Sequence, residues 1–232
     1  MQIITTNDGS HTLFSEQFNE VYHSRHGAIE ESKHVFIKSG LDYCLSSLSS
    51  PRAEWGSEAA VRIFELGFGT GLNAMLTMLE AEKRNIKVDY TAIELYPVDI
   101  ETIKVLNYTQ QLGYEYCYGP FHSLHLVRWN ETHEVTKYFS FRKISESVFK
   151  FNIQHSAFNI IYFDAFAYTH QPEIWSAGVF KKMYDALEPK GILVTYSSKV
   201  VIQKAMKEAG FTIEKIHGPP GRREMVRAHR TE

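Results

Sequence analysis

Residues 61–71, Val61-Arg62-Ile63-Phe64-Glu65-Leu66-Gly67-Phe68-Gly69-Thr70-Gly71, constrain this chain more than any other stretch. Apolar side chains at 61, 63, 64 and 66 suit a strand covered on both faces, as in a parallel sheet. Glycines at 67, 69 and 71 let the backbone turn sharply and approach a ligand, because a side chain there would fill the ligand's space. From Leu72 onward, Leu72, Met75, Leu76 and Leu79 repeat at the spacing of one helical face. The order strand, glycine turn, helix is the context a nucleotide cradle requires. The spacing is G-x-G-x-G, whereas a dinucleotide pyrophosphate is seated by G-x-G-x-x-G. A ligand without phosphates is therefore favoured, and a nicotinamide dehydrogenase is disfavoured.

A second strand, Val88 to Leu95, carries Glu94, 23 positions past Gly71. That is where an acidic residue grips ribose hydroxyls in such folds. A third landmark is Phe158-Asn159-Ile160-Ile161-Tyr162-Phe163-Asp164-Ala165-Phe166, a buried strand ending in a carboxylate and an aromatic ring. Ligands bind at the carboxyl ends of strands in an open α/β sheet, so Asp164 is expected to face the cradle. The competing reading of Asp164 is a cap on the following helix.

Between these landmarks the pattern predicts a helix opened by Pro97, a variable region over 108–135, a strand over 136–141 and a short helix near 146–151. Beyond Asp164 it predicts a helix to Leu187, strands over 192–196 and 211–216, a helix over 200–209, and a last strand over 224–229. The abrupt turn Gly218-Pro219-Pro220-Gly221 makes the end hairpin-like, with the last strand antiparallel. Residues 1–55 read as a cap, with a helix from Glu30 to Leu48 punctuated by Ser49-Ser50-Pro51, and 56–232 as the catalytic domain.

At 232 residues the chain has room for one sizeable core. Cys44 and Cys117 form no C-x-x-C pair, the amino terminus lacks a signal-peptide pattern, and no long apolar run occurs. A soluble, cytoplasmic protein is expected. His23/His26 and His122/His125 have H-x-x-H spacing without the companions a zinc site needs, so no metal is expected. Residues 181–232 carry 11 Lys and Arg against 6 Asp and Glu, a basic stretch that is either a solvated surface or a face for a polyanion.

Taken together, the cradle and Glu94 resemble the S-adenosylmethionine-dependent methyltransferases of Rossmann-like fold. Four blocks sharpen this to the methyltransferase half of the bifunctional MnmC-type tRNA 5-methylaminomethyl-2-thiouridine biosynthesis enzymes. They are Asp8-Gly9-Ser10 with Tyr22-His23-Ser24 and Glu31 to Phe36, Glu65 to Asn73, Phe163 to Ala167 with Gln171 to Trp175, and Val194 to Ser197 with Gly218 to Met225. The resemblance implies a seven-stranded, mostly parallel sheet with an antiparallel last strand and an N-terminal extension. It implies methyl transfer to 5-aminomethyluridine, or its 2-thio form, at the wobble position of tRNA. It also implies S-adenosylmethionine as cofactor, held by Tyr22, Glu65, Gly67, Phe68, Gly69, Thr70, Gly71, Asn73, Glu94, Leu95 and Asp164. Asp164, Phe166 and Tyr196 are the expected catalytic set, and Lys199, Lys215, Arg222 and Arg223 the expected RNA contacts. No flavin is expected, since a second glycine cradle is missing from the sequence. Where the family has Gly-Asp near adenine this chain has Phe141-Arg142-Lys143, and where paired arginines follow it has Val200 to Lys204. A polyamine aminopropyltransferase and a noncatalytic RNA- or cofactor-binding module are the rival readings. The first would want a richer glycine motif and more acids for a polycation, and labelled-methyl transfer separates the second.

Overall fold

The computed structural model describes residues 1–47 and 60–231. The boundary expected at 55/56, and the Ser49-Ser50-Pro51 punctuation, lie outside the described residues. Strands β1 (Gln2–Thr5), β2 (His11–Ser15) and β3 (Glu20–Val21) form a small antiparallel sheet. A helical stretch follows, running from α1 (Ala28–Ser32) through a π-helical segment (Lys33–Asp42) into α2 (Tyr43–Ser47). The remaining elements are β4 (Val61–Leu66), α3 (Leu72–Arg84), β5 (Val88–Ile93), α4 (Ile100–Lys104), α5 (Tyr108–Gln111), a 3-10 turn (Glu115–Cys117), α6 (Tyr118–Leu126), β6 (Thr132–Thr136) and β7 (Phe139–Ile144). They continue with β8 (Phe158–Phe163), α7 (Ala177–Ala186), β9 (Leu187–Thr195), α8 (Val200–Glu208), β10 (Thr212–His217) and β11 (Glu224–His229).

The main sheet has the order β10-β11-β9-β8-β4-β5-β7-β6. Strands β9, β8, β4, β5 and β7 are mutually parallel, and β11 runs antiparallel between β9 and β10. This is the expected seven-stranded sheet with one addition, β6, an antiparallel edge strand paired with β7. The strand expected over 136–141 therefore straddles a hairpin turn at Lys137 and Tyr138, and the 108–135 region is mostly helical, ending in β6. Two local expectations also change. Pro97 lies ahead of α4, whose N-cap is Asp99 accepting from Thr102 N–H, and residues 146–151 form turns without a helix.

Alternate residues of β4 feed two cores. Val61 and Ile63 pack on the side of the 28–47 helix and α3, while Phe64 and Leu66 pack toward α7 and α8. All four are nearly or wholly buried, and each contributes roughly 1.5–3 kcal/mol by leaving water. Phe64→Ala would cost ~3–5 kcal/mol through lost burial plus a cavity. The 28–47 helix is part of this core and no outer cap. Val35, Phe36, Ile37 and Leu41 are buried in it, and a Cβ on Gly40 would lie 3.0 Å from the Tyr162 ring and 3.2 Å from Val194. Glycine there lets the helix lie close on the sheet. Among the described residues ahead of β4, the segment before α1 is the part that sits over the sheet's end as an N-terminal cover.

Register fixes the site. Leu66 lies beside Ile93 on one neighbour and Phe163 on the other, so Gly67, Glu94 and Asp164 leave the sheet at one level. The ladder continues through them, with Gly67 N–H donating to Ile93 C=O at 3.1 Å and Asp164 N–H to Leu66 C=O at 2.9 Å.

Candidate active site

A cavity of about 330 Å³ opens at the carboxyl ends of β4, β5 and β8, the place an open parallel sheet offers a ligand and within the usual size range. Its lining includes Tyr22, Gly67, Phe68, Gly69, Thr70, Glu94, Leu95, Asp164, Phe166, Tyr196 and Arg222. Eleven of the residues singled out from the sequence thus meet around one space.

The glycines work differently from the reading that a ligand needs their room. All three have φ in the left-handed region, where glycine is favoured. A Cβ on Gly67 would sit 2.4 Å from the carbonyl oxygen of Asp164, and one on Gly69 would sit 3.0 Å from the Tyr22 ring. The protein's own backbone and cover occupy that space. Gly71 ends the turn facing His125 and does not line the cavity.

Beneath the cradle, Glu65 is fully buried and Asn73 nearly so. The Asn73 amide donates to Glu65 Oε1 at 2.9 Å and to Asp164 Oδ2 at 2.8 Å. One side chain therefore ties the acid under the glycine turn to the acid at the end of β8. Neither Glu65 nor Asn73 lines the cavity. Burial raises the Glu65 carboxyl well above the ordinary range, with the Tyr90 hydroxyl beside it. Burial likewise pushes Asp164 up to about 8, helped by the nearby charge of Glu31 and opposed by Asn73 and Arg222.

Glu94 turns onto the cradle, accepting from Gly69 N–H at 3.0 Å and Tyr96 N–H at 2.8 Å. Each oxygen keeps a further lone pair for a hydroxyl donor. Ser147, Val148 and Phe149 line the cavity together with Leu95 and Tyr96. Phe141, Arg142 and Lys143 do not. Lys143 is buried, donating to the His125 carbonyl and lying 4.5 Å over the Trp129 ring. The turn after β7, and not the strand's end, supplies this wall.

The N-terminal cover closes the other side. Tyr22 packs edge-on to Phe166 at 5.0 Å, and Phe18 stacks on Phe166 at 4.6 Å. Glu20 accepts from Ala167 N–H at 2.8 Å, pinning the loop after Asp164. His23 hydrogen-bonds Thr70 Oγ1 at 2.8 Å, and its burial lowers it to about 4, so the ring is neutral. Tyr196 donates its hydroxyl to Ala165 C=O at 2.8 Å and carries the Arg222 guanidinium 4.6 Å above its ring. Glu31, Glu20 and Phe18 were not among the residues picked out as site residues. Glu31 lies in a conspicuous sequence block, but nothing there distinguishes it from exposed Glu30.

The proposed RNA contacts separate. Arg222 lines the cavity and pairs with Glu31 at 3.7 Å. Lys215 is held by Glu224 at 3.1 Å, Lys199 stands at the N-terminal boundary of α8 without a side-chain cap and lies 5.8 Å from the Tyr168 ring centre, and Arg223 is exposed on the turn before β11. None of these three lines the cavity. Among the described residues no group of three or more His, Cys, Asp or Glu side chains is arranged to hold a metal, and no helix is long and apolar enough to cross a membrane. Cys44 and Cys117 are buried free thiols.

Comparisons with known proteins bear on the family and the fold. A tRNA 5-methylaminomethyl-2-thiouridine biosynthesis bifunctional protein MnmC from Leptospira interrogans is 29% identical over 226 residues, covering 93% of this chain and 33% of that protein. The protein of the same name from Nitrosospira multiformis is 26% identical over 224 residues, covering 92% and 34%. The chain spans about a third of the length of these curated relatives. The crystal structure of MnmC2 from Aquifex aeolicus matches with a TM-score of 0.72 at 21% identity, covering 99% of this chain and 70% of that one, a likeness of fold. The model of a family described as S-adenosyl-L-methionine-dependent methyltransferase matches residues 107–231, more than half of the chain. The chain belongs to that family of S-adenosyl-L-methionine-dependent methyltransferases.

Proposed function

We propose that this protein transfers the methyl group of S-adenosylmethionine to the primary amine of 5-aminomethyluridine, or its 2-thio form, at the wobble position of tRNA. The observation that carries the reading is Asp164, a carboxylate held up to about 8 at the end of β8 and fixed by Asn73 beside the glycine cradle. The names of the curated relatives supply the acceptor, and the cavity chemistry accords with it.

The residues fit the cofactor. Six carboxylates line the cavity, from Glu20, Glu31, Glu94, Glu146, Asp164 and Glu173, and Arg222 is the lysine- or arginine-type side chain among the lining residues. Such a wall suits a donor bearing a sulfonium and an ammonium. The Gly67 and Gly69 backbone, with Glu65 acting from beneath through Asn73, would hold the methionine end, Glu94 the ribose hydroxyls, and Leu95 with Val148 and Phe149 the adenine. When bound, S-adenosylmethionine supplies an electrophilic methyl carbon for in-line displacement.

The chain's task is then to present a neutral nitrogen. An alkylamine judged by lysine has a pKa of ~10.4 and arrives as an ammonium. Asp164 orients it and accepts one proton at its carboxylate, freeing the lone pair. The adjacent carboxylate alone would strengthen the ammonium, so burial by Phe166, Tyr22 and Tyr196 must offset it. Tyr196 acts through packing, because its hydroxyl is committed to Ala165. Arg222 would meet RNA phosphate at the cavity mouth, with Lys199 and Arg223 as outlying contacts. Lys215 is the weakest of the four, being paired already. Action on tRNA supports the reading of a cytoplasmic protein.

The test is nucleoside mass spectrometry of tRNA from cells lacking the gene. Accumulated 5-aminomethyluridine, with its methylated form gone, is the expected result. Unchanged wobble nucleosides would refute the reading.

A further inference from the structure

The acceptor end of the cavity has a second carboxylate that the methyl-transfer scheme leaves unused. Glu31 projects from α1, its side chain only 10% exposed. Its Oε2 accepts from Ser24 N–H at 2.7 Å, while Oε1 faces Arg222 Nε at 3.7 Å, an ion-pair separation too long for a hydrogen bond. Two other acids here are turned onto backbone. Glu20 is taken by Ala167 N–H, and Glu94 by Gly69 and Tyr96 N–H. Glu31 Oε1 instead meets a cation loosely, and that cation is 44% exposed and laid across the Tyr196 ring.

We propose that Glu31 is the second carboxylate holding the acceptor's ammonium, opposite Asp164, and that Arg222 is its resting counter-ion, displaced when the acceptor enters. The proposal rests on the function proposed above. A buried carboxylate stripped of water needs a positive partner, and a half-exposed guanidinium stacked on a ring is one it can give up. An alkylammonium carries three N–H donors. One proton passes to Asp164, one N–H stays on Glu31, and the freed lone pair faces the donor methyl. The nitrogen–carbon bond then forms as the sulfur–carbon bond breaks, and the positive charge moves from sulfur to nitrogen. Displaced Arg222 becomes available to an RNA phosphate at the mouth. A neutral hydroxymethyl or an anionic substituent at the same uridine position cannot replace Arg222 on Glu31, so the pair selects for a cationic acceptor.

Glu31→Gln keeps the side chain's shape and an acceptor for Ser24. With tRNA carrying 5-aminomethyluridine, it is expected to raise the acceptor KM at least fivefold while calorimetric affinity for S-adenosylmethionine stays within twofold. Glu31→Asp, which retains the charge, should recover part of the loss. Arg222→Gln assayed on free 5-aminomethyluridine nucleoside, which lacks phosphates, should lower KM, because the resting counter-ion no longer competes for Glu31. A KM for Glu31→Gln within fivefold of wild type, an equal loss of cofactor affinity, or an Arg222→Gln variant whose KM for the nucleoside is not lowered overturns the proposal. Failure of the wild type to methylate either acceptor would overturn the underlying function instead, and this proposal with it.

Discussion

The two ends of the cavity are built by different means. The donor end rises from three adjacent parallel strands whose register brings Gly67, Glu94 and Asp164 out together, and much of its bonding is through backbone, such as Gly69 N–H to Glu94. The acceptor end is assembled from side chains far apart in sequence. Glu20 reaches across to the loop after Asp164, and Glu31 on α1 meets Arg222 before β11. Strand ends fix the donor end rigidly, while the acceptor end depends on an N-terminal cover and a C-terminal turn packing against each other. The first can serve many methyltransferases, and the second can be varied to choose the nucleophile.

If that division holds, substitutions should fall into two classes. The largest effect is expected from Asp164→Asn, at the junction of the two ends. It should lower kcat ~10²–10⁴-fold, the usual range for a lost general base, and leave cofactor affinity unchanged. Full activity would remove Asp164 from the chemistry.

Next comes Asn73→Ala. Asp164 acts as a base only when ionised, so kcat/KM of the wild type should rise with pH to a midpoint near 8. Asn73 stabilises the ionised form, so removing it should move that midpoint upward and cost about tenfold in rate at pH 7, the scale of one hydrogen bond to a charged group. An unshifted profile would show that Asn73 serves the cofactor end alone. The same raised carboxyl makes the folded state less stable as pH climbs between roughly 4 and 8. Over that window the native Asp164 keeps a proton that the unfolded chain has lost.

Glu94→Ala should weaken cofactor binding by more than ~1 kcal/mol, the scale for hydrogen bonds to a charged group, with acceptor KM little changed. A change in acceptor KM alone would break the comparison. The smallest effect is expected from Lys215→Ala, because Glu224 already neutralises that ammonium and exposed pairs contribute ~0–1 kcal/mol. Its tRNA affinity should stay within about twofold. Arg222→Ala should instead flatten the salt dependence of tRNA binding.

The same division explains what the sequence revealed. Gly67, Glu94 and Asp164 each follow an apolar run, and a residue that ends a buried strand in a parallel sheet has its place set by the sheet. The acceptor end gave no comparable local signal. Glu30 and Glu31 are identical in sequence, yet one is exposed and the other buried against Ser24 and Arg222. Only the packing of α1 against a turn some 190 residues later decides which is which. The glycines were legible as a turn but not in their cause, because Tyr22 and the Asp164 carbonyl that crowd them come from other parts of the chain. Residues 146–149 read from the sequence as part of a short helix and not as a wall of the site, because they follow β7 as turns whose place is set by the sheet and not by any local pattern.

The most direct measurement is transfer of labelled methyl from S-adenosylmethionine into tRNA bearing 5-aminomethyluridine, comparing wild type with Asp164→Asn. Label recovered in 5-methylaminomethyluridine with the wild type, and nearly lost with the variant while both bind the cofactor equally, is the predicted result. Label appearing elsewhere in the RNA, or undiminished in the variant, would contradict the account.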